Sequence, residues 1–357
     1  MTGPAKAPVD VAALALWMDE QGLPKGPIGE VVRLVGGTQN LLVRFTKGGR
    51  DFVLRQPPAH SVAGGGQTVR REARVLGALA STPVPHSKLI AVCTEEGVTG
   101  GQFLLMEAVE GFNVAVGMPP LHSGDAQVRR GMGLAAIEAL AAIAQVDHVL
   151  VGLADFGKSE GFLERQVGRW RHQLASYEQY NGWLGGDSLP GISTLGKWLE
   201  DNRPRSFTPG LMHGDYHLQN LIFRLDGPQI AAVIDWELAT IGDPLIDLAW
   251  LLANWPDPDG SPTTFTVSPW DGFPSEAALI SYYGELTGRD LSQLHWYKVF
   301  ACYKLAIILE GTYARSCAGM APVDVGERLH RNALRLLGRA TRTLRDRQLG
   351  NESALGS

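Results

Sequence analysis

Ten consecutive residues constrain this chain more than any other stretch: Leu211-Met212-His213-Gly214-Asp215-Tyr216-His217-Leu218-Gln219-Asn220, followed downstream by Val233-Ile234-Asp235-Trp236-Glu237. They read as an apolar entry, a polar loop, a strand pair over 221–225 and 229–234, and an acid at the end of the second strand. Asp215 and Asn220, five apart on one loop, can turn toward a common point, and the hairpin brings Asp235 back beside them. Phosphoryl transfer needs these parts: a carboxylate to orient and deprotonate a hydroxyl, and an amide with a second carboxylate to hold magnesium against phosphates. The plainer reading is a loop whose Asp, Asn and His side chains satisfy backbone groups. The correctly placed acid downstream weighs against it.

With 357 residues, 45% of them hydrophobic, the chain can bury a large core and divide into two lobes. A net charge of −5 gives no electrostatic reason to expect nucleic acid or an anionic membrane as partner. The N-terminus lacks a basic segment followed by an apolar one, so no signal peptide is expected, and no apolar run reaches spanning length. Cys93, Cys302 and Cys317 have no metal-ligand spacing and read as reduced thiols of a cytoplasmic protein.

The loop HGDYHLQN, the IDWE segment and Gly242-Asp243-Pro244-Leu245-Ile246-Asp247-Leu248-Ala249 together resemble the aminoglycoside phosphotransferase and choline kinase family. The resemblance runs from about residue 31 to about residue 340 and is closest to the branch fused to acyl-CoA dehydrogenases. It implies an α+β, two-lobe, protein-kinase-like fold: a small antiparallel-sheet N-lobe (1–110), a larger mainly helical C-lobe (111–346) and a frayed tail (347–357). It further implies ATP or GTP and Mg2+ as cofactors, a nucleotide and a small-molecule hydroxyl acceptor as partners, and an acyl-CoA dehydrogenase as a candidate protein partner.

In chain order, a helix is expected over 9–21, then a strand pair over 29–35 and 41–45 around Gly36-Gly37-Thr38-Gln39-Asn40. A glycine pair there is an ordinary hairpin turn or a backbone that approaches phosphates closely; the resemblance favours a nucleotide-covering loop with Gly36, Gly37, Thr38 and Asn40. The next strand, 51–55, ends on Arg55 at the position where kinases carry a phosphate-pairing lysine, and the related branch resembles this chain in using arginine there. A guanidinium can fork onto two phosphate oxygens, although a strand-edge arginine in solvent is also consistent with the sequence. On the following helix (67–80), Val69, Ala73, Leu76 and Leu79 form an inward stripe, and Glu72 lies off it. Glu72 pairs with Arg55 if the family pattern holds, or locally with Arg70, Arg71 and Arg74. Strands over 87–92 and 102–107 complete a five-stranded sheet, and Met106 to Gly111 resembles the interlobe hinge, where backbone groups of Glu107 and Val109 would read adenine.

After a connection over 112–125, helices are expected over 126–147, 162–180 and 192–202. The second carries Arg165, Arg169, Trp170, Arg171 and His172, which suits a solvated face better than a nucleic-acid surface in an acidic chain. Past the catalytic loop, Asp243 and Pro244 suit a helix start, and Asp247 sits one turn inside an apolar helix, where it must find donors such as backbone N–H groups or His213. A loop over 255–275 is placed to border an acceptor cleft, and helices over 276–287, 291–318 and 325–346 close the lobe. Lys298, Tyr303, Lys304 and Arg315 on the middle one are acceptor-side candidates, and Gly311 allows close packing. The alternative there is a core helix with a few exposed polar residues.

The roles implied are Asp215 as base, Asn220 and Asp235 as magnesium ligands, Arg55 with Glu72 on the phosphates, His217 at the transferred group or in a structural loop role, and His213 and Asp247 as structural support. The activity implied is a phosphotransferase with an alcohol acceptor, a hydroxyacyl-CoA or related hydroxy metabolite. The charge of Lys298, Lys304 and Arg315 suits an anionic or amphipathic acceptor. Alternatives are a choline, amino-alcohol or antibiotic kinase, and a nucleotide- or acyl-CoA-binding pseudokinase regulating a dehydrogenase. A protein kinase is disfavoured because neither DFG nor APE marks an activation segment.

Overall fold

The structure, a computed structural model, describes residues 9–34, 40–58, 65–256 and 266–355. Helix α1 (Val11–Glu20) is capped by the Asp10 carboxylate, which accepts the backbone N–H groups of Ala12 and Ala13. Strands β1 (Ile28–Arg33), β2 (Leu41–Lys47) and β3 (Arg50–Gln56) form an antiparallel meander, followed by α2 (Gly65–Leu79), β4 (Leu89–Cys93) and β5 (Phe103–Glu107). The five strands make one sheet in the order β1-β2-β3-β5-β4.

Side chains on a strand alternate between faces, and here the alternation builds two separate cores. Val43 and Phe45 of β2, Phe52 and Leu54 of β3, and Phe103 and Leu105 of β5 pack with Leu14, Trp17 and Met18 of α1. The intervening residues Val53, Leu104 and Met106 join the larger core, to which α2 contributes Val69, Val75, Leu76 and Leu79. Arg55 shares the phase of Val53. It therefore leaves the sheet on the α2 side.

The rest is mainly helical. A short helix α3 (Pro120–Gly124) precedes α4 (Ala126–Ala144), α5 (Phe162–Ala175) and α6 (Ile192–Asp201). The connection expected over 112–125 thus holds a helical turn: Pro120 occupies its first position, and the buried His122 Nε2 reaches the Gly227 carbonyl at 2.9 Å. Strand β6 (Gly210–Met212) opens the loop 213–220, β7 (Leu221–Phe223) and β8 (Ile230–Val233) form the hairpin, and β9 (Thr240–Gly242) pairs with β6. Helices α7 (Leu245–Ala253), α8 (Glu276–Thr287), α9 (Leu294–Cys317) and α10 (Val323–Leu355) follow.

Helix α7 is buried on every side, as an apolar sequence all round requires, and packs against α9, which packs in turn against α10. The tail expected from residue 347 is instead a continuation of α10 to Leu355: no proline interrupts 323–355, and Leu, Gln, Glu and Ala in its final turns are good helix formers. Among the described residues, no helix is long and apolar enough to cross a membrane.

The close approach expected at Gly311 is made by a phenol: a Cβ there would lie 2.5 Å from the Tyr177 hydroxyl, which is buried against α9. Gly311→Ala should force Tyr177 from its place and lower stability by about 1–3 kcal/mol. Urea unfolding read by tryptophan fluorescence checks this, and an unchanged midpoint would contradict it.

Candidate active site

Arg55 is 5% exposed and faces three carboxylates. Nη1 meets Glu72 of α2, while Nη2 donates to Asp235 Oδ1 at 2.5 Å and Glu237 Oε2 at 2.9 Å. Glu72 is 2% exposed, and the local arginines go elsewhere: Arg71 donates to the carbonyls of Phe156 and Ala239, and Arg74 pairs with Asp155. The Arg55–Glu72 pairing is therefore the arrangement formed. A fork-shaped cation can hold separate carboxylates on its two amino groups, which a lysine point charge does less well.

Asp235 has φ 69° and ψ 57°, one of two non-glycine residues with positive φ among those described. The chain turns at this left-handed residue, after the second hairpin strand, into the short helical turn Trp236–Leu238, and Asp235 and Glu237 both meet Arg55. Burial pushes the Asp235 carboxyl up, Arg55 opposes the shift, and Glu237 reinforces it. One cation against three acids leaves negative charge in excess, an environment suited to a further cation.

The loop 213–220 folds around Asp215. Trp250 Nε1 donates to Oδ1 at 2.8 Å, and Asn220 Nδ2 to Oδ2 at 3.2 Å, with His217 Nε2 3.4 Å from the same oxygen. Burial alone would raise the carboxyl, but the His217 hydrogen bond and charge, with His213 and Trp250, outweigh it and hold Asp215 well below the ordinary carboxylate range. Asn220 also donates to the Asp215 carbonyl at 2.9 Å, which presents its amide oxygen as the acceptor end, and its backbone carbonyl takes the Ile234 N–H at 2.9 Å. That last bond ties the loop to the strand bearing Asp235.

The loop is held from beneath. Asp247, 1% exposed, accepts the backbone N–H of His213 at 2.6 Å and of Gly214 at 2.9 Å. His213 Nε2 donates to the Ile234 carbonyl at 2.8 Å, and Nδ1 takes the Asp215 N–H at 3.3 Å. Gly214 adopts φ +86°, where a Cβ would collide with the Leu238 carbonyl. Asp247 and Trp250 stand three apart on α7, so one helix face supports both the loop backbone and its carboxylate.

The donor chemistry suits magnesium. Asn220 and Asp235 supply oxygens, and no cluster of three His, Cys, Asp or Glu among the described residues makes an all-protein metal cage. Magnesium usually takes one or two carboxylates and completes its shell with phosphate and water.

Other expected site residues are placed as follows. Gly36, Gly37 and Thr38 lie outside the described residues, and Asn40 Nδ2 is 3.4 Å from Glu237. Glu107 spends its backbone N–H on the Lys88 carbonyl and its carboxylate on Arg50, which leaves its carbonyl as the backbone group to consider for adenine. The Val109 N–H has no partner among the described residues.

On α9 the structure separates the acceptor-side candidates. Lys304 lies over the Trp250 ring, with Nζ 4.0 Å from its centroid. Tyr303, one residue earlier, points instead toward Arg171 and Gly196, into a cavity of about 280 Å³ between α5 and α6. Arg315 donates to Thr312 on its own helix at 2.9 Å. Lys298 is bound by Glu276, which also takes Arg339, so it belongs to a structural ion pair and not to the acceptor cleft.

Two contributors were not foreseen. Glu237 was visible as a second acid two residues after Asp235, but its partner Arg55 lies on a distant element, a pairing with no local signature. Trp250 reads as core on an apolar helix, and nothing local marks its N–H as a partner for Asp215.

With the geometry in place, comparison with known proteins is decisive. The model of the phosphotransferase enzyme family matches residues 30–297. The chain belongs to that family. It is 32% identical over 315 residues to acyl-CoA dehydrogenase family member 11 of Gallus gallus, covering 85% of the chain and 39% of the relative. It is 30% identical over 301 residues to family member 10 of Mus musculus, covering 83% and 27% respectively. The chain thus spans well under half the length of these curated relatives. Among solved structures, a candidate aminoglycoside phosphotransferase from Ralstonia eutropha superposes with a TM-score of 0.75 at 30% identity, covering 94% of this chain and 99% of that one. The GDP complex of an aminoglycoside 2'-phosphotransferase-IIIa mutant gives 0.62 at 16% identity, covering 93% and 100%, a likeness of fold alone. The protein-kinase-like, two-lobe architecture is that of this phosphotransferase family.

Asp247→Ala should leave two buried loop N–H groups without an acceptor, costing about 2–4 kcal/mol. Denaturant unfolding of the purified variant measures the loss, and stability within 0.5 kcal/mol of wild type, roughly the scatter of surface substitutions, would contradict it.

Proposed function

We propose that the protein is an ATP- or GTP-dependent small-molecule kinase that transfers the γ-phosphoryl group to a hydroxyl, on a hydroxyacyl-CoA or related hydroxy metabolite. The observation carrying this reading is the linked set of Asp215, Asn220, Asp235 and Arg55, which joins strand β3 to the catalytic loop through one run of hydrogen bonds. The nucleotide would lie between a lobe spanning 1–110 and a lobe spanning 111–346, under the turn at Gly36, Gly37, Thr38 and Asn40, with its base near the Glu107 carbonyl and the Val109 N–H. Structural neighbours are known in complex with nucleotides, including ADP with hygromycin B on an aminoglycoside phosphotransferase, which supports nucleotide use.

Arg55, held by Glu72, would turn Nη2 from Asp235 to phosphate oxygens as nucleotide enters. Asn220 and Asp235 would hold magnesium, which neutralises charge on the phosphates when bound. Asp215 would accept the hydrogen bond of the acceptor hydroxyl. The new bond forms from that oxygen to the γ-phosphorus, the bond to the nucleoside diphosphate breaks, and the proton passes to Asp215. A carboxylate held this far down is a weak base, so its main contribution is orientation, with proton transfer late in a loose transition state. His217, at 3.4 Å from Asp215, is placed to touch the transferred group.

The same arginine clasp supports a second reading, a pseudokinase that binds nucleotide or acyl-CoA and regulates an acyl-CoA dehydrogenase partner, because Arg55 occupies the proposed metal carboxylate.

Nucleotide consumption with magnesium, measured against hydroxyacyl-CoAs, choline, amino alcohols and aminoglycosides, separates the two. Transfer to one class should fall by about 10²–10⁴-fold in Asp215→Ala, and His217→Ala should lower turnover without lowering the melting temperature. Undiminished transfer by Asp215→Ala would remove the base assignment, and silence of the wild type across the panel would favour the regulatory reading.

A further inference from the structure

Lysine and tryptophan meet beside the proposed base in a way the transfer chemistry alone does not require. Lys304 Nζ stands 4.0 Å from the ring centroid of Trp250 and 5.5 Å from that of Trp170 on α5. The same Trp250 donates its indole N–H to Asp215, so ammonium and base are separated by one indole ring. Arg169 lies over Trp170, its guanidinium carbon 5.6 Å from the ring centroid.

Neighbouring cations are already engaged: Arg171 with Glu200, Lys298 and Arg339 with Glu276, and Arg165 with the carbonyls of Lys158 and Glu160. Lys304 and Arg169 have no carboxylate at ion-pair distance among the described residues. The aromatic walls strip water from the Lys304 ammonium; burial pushes it down to about 8, Asp215 and Asp247 oppose that shift, and Arg169 adds to it. A partly desolvated cation without a counter-ion is costly to keep, and an anion brought by a ligand would offset the cost.

Resting on the phosphotransferase reading of the site, we infer that Lys304, assisted by Arg169, is the specificity residue for the acceptor. It takes a carboxylate or thioester carbonyl oxygen close to the hydroxyl on Asp215, and so selects hydroxy acids or their thioesters over cationic acceptors. A polycation would meet two like charges on its way to Asp215, neither of them held in a direct ion pair among the described residues. An anion brought there by a ligand would meet the Lys304 ammonium and, beside it on α5, the exposed Arg169 guanidinium.

The test is calorimetric titration of the full chain, loaded with ADP and magnesium, with 3-hydroxybutyrate, 3-hydroxybutyryl-CoA, 1,3-butanediol and kanamycin. Wild-type protein should bind the acid or the thioester, and which of the two binds identifies the source of the recognised oxygen. Lys304→Met should weaken that binding at least about tenfold, Lys304→Glu further, and Lys304→Arg should restore it. The groups facing Lys304 are Asp215 from the loop, Asp247 and Trp250 from α7, and Arg169 and Trp170 from α5, and Asp215 stays ionised throughout. Affinity should therefore fall as pH rises through about 8, where Lys304 loses its proton, and stay flat over the same range in Lys304→Arg. A merely structural lysine would give no such profile. Wild-type protein that holds ADP but neither anionic probe, or equal binding by wild type and Lys304→Met, overturns the inference. Failure to bind ADP at all overturns the phosphotransferase reading itself, and the inference with it.

Discussion

The active region depends on one buried arginine. Arg55 leaves β3 on the face opposite α1 and collects acids from α2 and from the segment after β8. Its burial is tolerable only because the carboxylates replace its water, and theirs only because it neutralises part of their charge. Each partner would be costly alone. Together they fix the sheet, α2 and the hairpin in one relation, and the uncompensated negative charge is concentrated where phosphates and magnesium would arrive.

The second support is α7. An apolar helix buried on all sides would normally be inert scaffold, yet this one carries an acid and an indole on the face turned to the catalytic loop. Asp247 secures the loop backbone and Trp250 fixes the rotamer of Asp215. At its start, Asp243 accepts the Tyr297 hydroxyl at 2.5 Å and the Leu245 N–H at 3.1 Å, tying the helix to α9. The loop therefore rests on rigid elements, as a site that works by positioning requires.

Much of this was legible in the chain, and for definite reasons. The five-residue step from Asp215 to Asn220 is local geometry, and the Asp235 acid follows from a hairpin whose turn and alternation are visible. The alternation of β3 places Arg55 on one face, but that Glu72 pairs with it and not with Arg70, Arg71 or Arg74 came from family resemblance, because side-chain pairing between distant elements has no local signature. Glu237 reaches Arg55 across the same long separation, and so was hidden for the same reason. Lys298 and Tyr303 looked like cleft residues by helical spacing, but periodicity alone does not say which neighbour each face meets: Lys298 meets Glu276, and Tyr303 meets α5 and α6. The extension of α10 past residue 347 shows how little a polar terminal composition says against helix when no proline intervenes.

The central claim, that Arg55 and Asp235 form a nucleotide and magnesium site, is tested most directly by the melting temperature of the purified protein with ADP, with magnesium, and with both. A ligand that binds the native state at a hundred times its dissociation constant stabilises it by about 2.7 kcal/mol, a readily measured shift. ADP and magnesium together should raise the melting temperature more than either alone, and Asp235→Ala should abolish the magnesium-dependent part. A melting temperature indifferent to ADP with magnesium would contradict the account.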